Sequence, residues 1–83
     1  MSPHLRRLSS RELCQALGQF GIEVVATRGS HAKLRRTTLD GLRQILTVPL
    51  HRELAPGTLR AIFRQACRFV PEHDLRPLFF TEG

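Results

Sequence analysis

The sequence predicts an α+β fold with the element order α-β-β-β-α, in which two helices cover one face of a three-stranded antiparallel sheet. The first reason is length, because 83 residues support one small hydrophobic core and no second one. The second is that two amphipathic helical segments flank a region rich in β-branched residues. The third is that the turns inside this region are too short for the crossovers of a parallel sheet. We therefore predict a single domain over residues 1–83, in which residues 68–83 form a C-terminal tail.

The first helix is predicted to begin after Ser9. Ser9-Ser10-Arg11-Glu12 has the spacing of a capping box, in which the side chains of the first and last residues each accept a hydrogen bond from the other's backbone N–H. Gly21 is the predicted stop, since glycine adopts the left-handed conformation at a helix end without a steric penalty. Apolar residues at helical spacing form the face that we expect to be buried: Leu13, Ala16, Leu17 and Phe20.

Three strands are predicted next, at residues 22–27, 32–37 and 44–48. The first is rich in β-branched residues, and the turn Gly29-Ser30 joins it to the second as a hairpin. Asp40-Gly41 marks the following turn, and Pro49 closes the third strand because proline lacks the N–H that a sheet interior requires. Consecutive strands joined by such short turns form an antiparallel meander.

The second helix is predicted to begin at Pro56, because proline is tolerated in a first turn, and Thr58 is expected to bond free amides there. The apolar face of this helix is Leu59, Ile62, Phe63 and Ala66. Further along, Pro77 is expected to interrupt any helix, so the tail is predicted to form either one turn or an interaction arm. The tail nevertheless contains four large apolar residues that have to pack somewhere: Leu75, Leu78, Phe79 and Phe80.

The chain is strongly basic, with a formal net charge of +6, and twelve of its thirteen basic residues are arginine. Guanidinium groups bind phosphate and carboxylate oxygens in a planar fork, so this composition favours a nucleic acid or an acidic protein as partner. The alternative is the general arginine bias of a GC-rich genome, which carries no functional meaning.

The cysteines and histidines indicate neither a disulfide framework nor a metal site. Cys14 and Cys67 are too far apart for paired metal-ligand spacing, and the four histidines include no i, i+4 pair. Both thiols are predicted to be small core or near-surface groups in a reducing compartment. No apolar run follows the N-terminal charges, and no stretch approaches membrane-spanning length. We therefore expect a cytoplasmic protein without membrane association.

One histidine lies directly after the Gly29-Ser30 turn. Because successive side chains of a strand point to opposite faces, His31, Lys33 and Arg35 are predicted to share one face of the second strand. An imidazole beside fixed positive charges suits a phosphate group, which requires cations for its oxygens and a base for the hydroxyl that attacks it.

Three short motifs, in order and at the usual separations, resemble the HicA family of toxins: Gly29-Ser30-His31, Val48-Pro49-Leu50-His51 and Gly57-Thr58-Leu59-Arg60. The resemblance spans residues 8–67, and the tail from residue 68 diverges from the family. It implies a fold like that of double-stranded-RNA-binding domains, in the α-β-β-β-α order reached above from the residues alone. It also implies the toxin of a two-gene toxin-antitoxin pair, which cleaves mRNA without a metal or other cofactor and is inhibited by a HicB-type antitoxin protein.

The resemblance places the family's catalytic histidine at His31, which we expect to act as the general base. Lys33 either holds phosphate charge in the transition state or only discourages pairing at a sheet edge. Ser30 either donates to a phosphate oxygen or only forms the turn, and Gly29 either lets RNA approach the backbone or only turns the chain. His51 matches a second family histidine, and it either protonates the departing 5′-oxygen or has a structural role in the loop before the second helix.

The predicted RNA-binding residues lie on two elements. The hairpin contributes Arg28, Lys33 and Arg35. On the second helix three arginines recur every four residues and form a basic ridge: Arg60, Arg64 and Arg68. The ridge either contacts phosphate or an acidic partner, or is only a solvated face. Two other functions remain open at this stage, a non-catalytic RNA-binding module of the same fold and an inactive homologue that only binds its antitoxin. The sequence leaves the oligomeric state open.

Overall fold

The computed structural model describes residues 3–81, so residues 1–2 and 82–83 of the predicted domain and tail lie outside the described part. The elements in chain order are β1 (His4–Leu5), α1 (Ser10–Leu17), a 3₁₀ turn (Gly18–Phe20), β2 (Glu23–Arg28), β3 (His31–Thr37), β4 (Arg43–Pro49), α2 (Pro56–Ala66), α3 (Glu72–Phe79) and β5 (Phe80–Thr81). The predicted α+β class is confirmed, and β1, α3 and β5 are additions to the predicted order.

The main sheet is an antiparallel meander with the strand order β2-β3-β4, so β3 is its central strand. One face of this sheet contributes to the hydrophobic core, which the helices complete. The fully buried side chains of this sheet face are on β3 and β4: Ala32, Leu34, Leu46 and Val48. The alternating residues of the same strands lie on the other face and are mostly exposed, which follows from the two-residue period of a strand. We call this second face the open face.

Helix α1 begins as the sequence predicts, with a complete capping box. The backbone N–H of Glu12 donates to the Ser9 hydroxyl at 3.0 Å, and the backbone N–H of Ser9 donates to the Glu12 carboxylate at 2.9 Å. The helix tightens into the 3₁₀ turn and stops at Gly21, whose φ of 75° is the predicted left-handed conformation. Leu13 and Leu17 are fully buried, which confirms the core-facing side of the helix.

The capping box yields a stability prediction. Replacing Ser9 by alanine removes the hydroxyl that accepts from the first turn, and we expect the free energy of unfolding to fall by about 0.5–2 kcal/mol. Urea denaturation at neutral pH measures this change, with exposed Gln15→Ala in the same helix as the control. An unchanged urea midpoint for the Ser9 variant would show that the cap does not stabilise the domain.

The same box gives that stability a pH dependence. The hydrogen bond from the Ser9 backbone N–H holds the pKa of the Glu12 carboxyl below its ordinary value. A carboxyl whose pKa is lowered in the folded state stabilises fully above its unfolded-state pKa, and this contribution is lost as pH falls through the folded-state pKa. Glu12→Gln removes the titrating carboxyl, so it should weaken the fall in the free energy of unfolding from neutral to acidic pH, which urea denaturation at a series of pH values measures.

Helix α2 begins at Pro56 as predicted and buries Leu59, Ile62 and Ala66 against the sheet. The prediction that Thr58 bonds the free amides is wrong, because the N-cap residue is Ala55 and the cap has no side-chain hydrogen bond. The physical reason is position: Thr58 is the third helical residue, one turn too late for an N-cap, and Pro56 already removes one of the N–H groups that needs a partner.

The expectation for the tail is also wrong, because residues 72–79 form helix α3 with Pro77 inside it. Proline removes one hydrogen bond of a short helix, and burial on both sides of Pro77 offsets that loss. Leu75 and Phe79 are fully buried in the main core, and Phe79 meets the ring of Phe63 edge-on with centroids 5.2 Å apart. The tail therefore completes the core of this domain.

A two-stranded sheet outside the main one ties the two ends of the described chain together. β1 and β5 pair antiparallel, with His4 opposite Thr81 and Leu5 opposite Phe80. The backbone N–H of Arg6 donates to the carbonyl of Phe79 at 2.7 Å, and its guanidinium donates to the carbonyl of Pro77 at 3.1 Å. Strands of two residues carry no sequence signal, and this pairing was not predicted.

The two cysteines are free and half-buried. Burial raises the pKa of both thiols, which keeps them protonated and unreactive near neutral pH. This environment confirms their prediction as small core or near-surface groups. Among residues 3–81, no helix is long and apolar enough to cross a membrane.

Candidate active site

The β2–β3 hairpin presents His31 at a fixed place on the open face. Its loop is only Gly29 and Ser30, and the closing pair is Arg28 opposite His31. Gly29 has a φ of 58°, the positive value that the first residue of a type II′ hairpin turn requires. A Cβ at this position would meet no atom within 4 Å, so the backbone conformation, and not crowding, calls for glycine.

The other side of the turn is anchored to the segment after β4. The carbonyl of Ser30 accepts a hydrogen bond from the backbone N–H of Leu50 at 2.7 Å, and His31 lies opposite Pro49 in the β3–β4 register. His31 is therefore held between two neighbouring strands while its imidazole remains exposed. Such anchoring positions a side chain for chemistry without burying it.

His31, Lys33 and Arg35 share the open face, as the alternation predicts, and all three are exposed. The register gives each of them one neighbour on either side. Lys33 lies between Ala26 and Thr47, and Arg35 lies between Glu23 and Ile45. Alternate residues of one strand are about 7 Å apart, so His31, Lys33 and Arg35 form a row of nitrogen-bearing side chains along β3. Polar and apolar neighbours on β2 and β4 flank this row.

The open face contains a shallow concavity of about 480 Å³ at the hairpin end. All three strands of the main sheet contribute to its wall, through residues that include Ala26, Arg28, His31, Lys33, Ile45 and Thr47. An imidazole, an ammonium and a guanidinium therefore border one cavity that is open to solvent. This combination can take a proton from a hydroxyl and hold a phosphate oxygen at the same time.

Two residues that line the concavity, Arg28 and Thr47, are closer to the candidate base and its neighbouring lysine than the sequence indicated. Arg28 is the direct cross-strand neighbour of His31, whereas the sequence predicted it only as an RNA-binding residue of the hairpin. Thr47, the neighbour of Lys33, brings a hydroxyl to the cavity and was not singled out. Strand register could have identified both, because the two-residue turn fixes the first pair and the β3–β4 turn fixes the second.

The backbone of His51 is hydrogen-bonded to Ser10, and its side chain is exposed. The Ser10 hydroxyl donates to the His51 carbonyl and accepts from the His51 N–H, both at 3.1 Å, and the Ser10 N–H donates to the same carbonyl at 3.0 Å. This clamp joins the start of α1 to the loop after β4. His51 is not among the residues that line the concavity.

The arginine ridge is exposed but is not brought to this site. Helix α2 faces the core through Leu59 and Ile62, so the exposed Arg60 and Arg64 project from the outer side of the helical layer. Arg68 is also exposed, but it lies in the turn after α2, because the helix ends at Ala66. The open face is on the far side of the sheet. The structure thus separates the predicted RNA-binding residues into two surfaces, one around His31 and one on α2.

Within the described part of the chain, no three His, Cys, Asp or Glu side chains converge in a way that could hold a metal ion.

Comparison with known proteins gives one match. The family model described as the HicA toxin of bacterial toxin-antitoxin systems matches residues 10–66, which is more than half of the chain and contains both the hairpin and α2. The α-β-β-β-α order of this region agrees with the double-stranded-RNA-binding-domain-like fold that the sequence resemblance implied. No curated protein and no solved structure matches the chain.

Proposed function

The chain belongs to the HicA toxin family, and from that premise we propose that it is a metal-independent endoribonuclease that cleaves mRNA with His31 as its general base. Family membership makes the chain the toxin of a toxin-antitoxin system. The observation that carries the ribonuclease proposal is the position of His31, exposed at the start of the central strand, with Arg28 and Lys33 on the wall of the same concavity. Cleavage of mRNA would stop translation and growth.

RNA supplies its own nucleophile, so the protein needs no activated water. His31 takes the proton of a 2′-hydroxyl, and the oxygen attacks the adjacent phosphorus to form a crowded, doubly charged phosphorane. Loss of the 5′-oxygen then leaves a 2′,3′-cyclic phosphate on one fragment and a 5′-hydroxyl on the other. General-base catalysis of this kind contributes about 10²- to 10⁴-fold in rate.

The cations beside His31 stabilise the charge that develops on the phosphate. Lys33 follows His31 on the same strand face, and Arg28 is its cross-strand neighbour, so both are placed to reach non-bridging oxygens. Arg35 continues this positive surface along β3 and holds the adjacent phosphate. Ser30 is exposed at the turn, where its hydroxyl can donate to the same group.

Protonation of the leaving 5′-oxygen completes the reaction. His31 returns the proton that it took, through water, so one histidine serves both steps. The clamp between Ser10 and the His51 backbone favours a structural role for that loop, and His51→Ala should retain cleavage. Loss of cleavage in a folded His51 variant would instead identify His51 as the general acid.

Substrate recognition on this surface depends on phosphate and 2′-hydroxyl contacts. The chain has no Trp and no Tyr, so it lacks the large aromatic platforms on which proteins stack unpaired bases. Low sequence specificity follows. The partner protein is a HicB-type antitoxin, for which the net charge of +6 predicts an acidic contact surface, and the cytoplasm, where mRNA is translated, is the site of action.

The test is incubation of purified protein with end-labelled RNA in the presence of EDTA. We expect cleavage under these conditions, and growth arrest when the gene is induced in cells without its antitoxin. RNA that is bound but stays intact would favour the non-catalytic RNA-binding module. Normal growth with folded protein, together with intact RNA, would favour an inactive homologue that only binds its antitoxin.

A further inference from the structure

The geometry points to a second phosphate-binding surface on the outer side of α2 and the turn after it, formed by Arg60, Arg64 and Arg68, which binds the backbone of a segment of RNA separate from the one at His31. We call these three residues the α2 ridge. The inference rests on the proposed ribonuclease function for its effect on cleavage, whereas its binding part does not require cleavage.

The first support is the position of the ridge. Leu59, Ile62 and Ala66 are buried beneath α2, so the side chains of Arg60 and Arg64 leave the helix away from the sheet. Arg68 is exposed in the turn after the helix. The open face lies beyond the core and the sheet, and the smallest dimension of the backbone is 17 Å. A strand lying flat on the open face therefore cannot contact the ridge. A partner of the ridge is a different RNA segment or a distant part of the same molecule.

The second support is that, within residues 3–81, the ridge arginines make no side-chain hydrogen bond or salt bridge, whereas several other arginines of the chain do. The Arg36 guanidinium donates to the carbonyl of Phe69 at 2.6 Å and thereby holds the turn after α2 to the sheet. Arg76 pairs with Glu72. Among the described residues, neither a salt bridge nor a side-chain hydrogen bond involves the ridge, so its guanidinium groups are available to a ligand.

The third support is spacing. Residues four apart on a helix lie on nearly the same side and about 6 Å apart along its axis. That interval is similar to the separation of successive phosphates along one nucleic-acid strand. Arg60 and Arg64 have this spacing on α2, and Arg68 follows four residues later in the turn after the helix. Forks that follow one another along a line suit a polyanion with a regular backbone better than the irregular carboxylates of a protein surface. Nucleic-acid phosphate is thus the occupant that the charge pattern favours.

A consequence follows for the substrate. If the ridge holds one segment while the open face acts on another, long or folded RNA gains affinity from both surfaces, because the second contact becomes intramolecular. A short oligonucleotide that covers only the catalytic face gains nothing from the ridge. The ridge would therefore direct this ribonuclease towards long, structured RNA.

Binding can be measured without cleavage by using a fluorescent 2′-O-methyl RNA, which lacks the nucleophile. We compare the wild type with the triple variant Arg60→Gln, Arg64→Gln, Arg68→Gln. The matched control is Arg7→Gln, Arg11→Gln, Arg52→Gln, which removes the same charge from exposed positions outside the ridge. Loss of three phosphate contacts should reduce the slope of log affinity against log salt by about 2, whereas the control should change it much less. Equal slopes for the two triple variants would overturn the inference.

Cleavage provides the second readout. On RNA of about five nucleotides the ridge variant should turn over like the wild type, and on long RNA it should lose the advantage that the wild type and the control retain. Wild type that cleaves neither RNA would refute the proposed function, while the salt slope would still decide whether the ridge binds phosphate. A ridge variant that loses antitoxin binding but keeps its RNA salt slope would assign the surface to a protein and overturn the inference.

Arg64 and Arg68 also lie near the negative end of the α2 dipole, so thermal unfolding must be checked for each variant. If the glutamine variant does not fold, the triple Arg→Lys variant replaces it. Lysine keeps the charge but loses the fork, so the salt slope should be retained while affinity falls. Unchanged affinity in the lysine variant, together with an unchanged slope in single Arg64→Gln, would overturn the inference.

Discussion

Replacing His31 with alanine is expected to lower the rate of RNA cleavage by about 10²- to 10⁴-fold, the usual contribution of a general base. The fold should be unaffected, because the side chain is exposed and the hairpin is held by backbone hydrogen bonds from β2, β4 and Leu50. Single-turnover cleavage of labelled RNA, together with thermal unfolding, measures both effects.

Two variants sharpen this experiment. His31→Gln keeps a polar side chain of similar size but no base in the required range, so it should be nearly as inactive as the alanine variant. His73→Ala is the matched control, since His73 is an exposed histidine on α3 and has no role in the proposed reaction. Wild-type cleavage by the His31 variants, or equal loss in the His73 variant, would refute the assignment of the base.

The second large effect concerns stability. Leu75→Ala should lower the free energy of unfolding by about 2–5 kcal/mol, because it leaves a cavity in a fully buried position of the main core. For a domain of this size that is a large share of the total, so the variant should unfold at markedly lower urea concentration or temperature.

Leu39→Ala is the control with the same chemical change. Leu39 is fully exposed in the turn between β3 and β4, so its truncation should alter stability by no more than about 0.5 kcal/mol. Similar urea midpoints for the two variants would contradict the packing of α3 into the core. The tail would then contribute little to the stability of the domain.

The main elements were predictable because each depends on neighbours in sequence. The capping box at Ser9 and Glu12 spans four residues, and the left-handed stop at Gly21 is one residue's property. The shared face of His31, Lys33 and Arg35 follows from the two-residue period alone. Local rules of this kind set the sheet, the first helix and the place of the candidate base.

The parts that were missed depend on distant contacts. A local rule for Pro77 indicates a broken helix, but burial of Leu75 and Phe79 against residues far away in sequence overrides it. The pairing of β1 with β5 joins the two ends of the chain, and the clamp between Ser10 and His51 joins residues 41 apart. Periodicity carries no information on such pairs.

The candidate site divides in the same way. Alternation placed the cations of β3 beside His31, and the sequence assigned RNA binding to both the hairpin and the α2 ridge without placing one relative to the other. Only the packing of α2 by its buried leucine and isoleucine shows that the ridge faces outward from the other layer. The sequence predicted that both helices cover one face of the sheet, but the separation of the two surfaces is a tertiary distance that no local pattern gives.

The central claim is that this chain cleaves RNA through the 2′-hydroxyl, with His31 as the base and no metal. The most direct measurement is the chemical identity of the fragment ends after cleavage in EDTA, beside a 2′-O-methyl RNA of the same sequence. We predict 2′,3′-cyclic phosphate and 5′-hydroxyl ends from the RNA, their loss with His31→Ala, and an intact 2′-O-methyl strand. Fragments with 5′-phosphate and 3′-hydroxyl ends, or a cleaved 2′-O-methyl strand, would contradict the account.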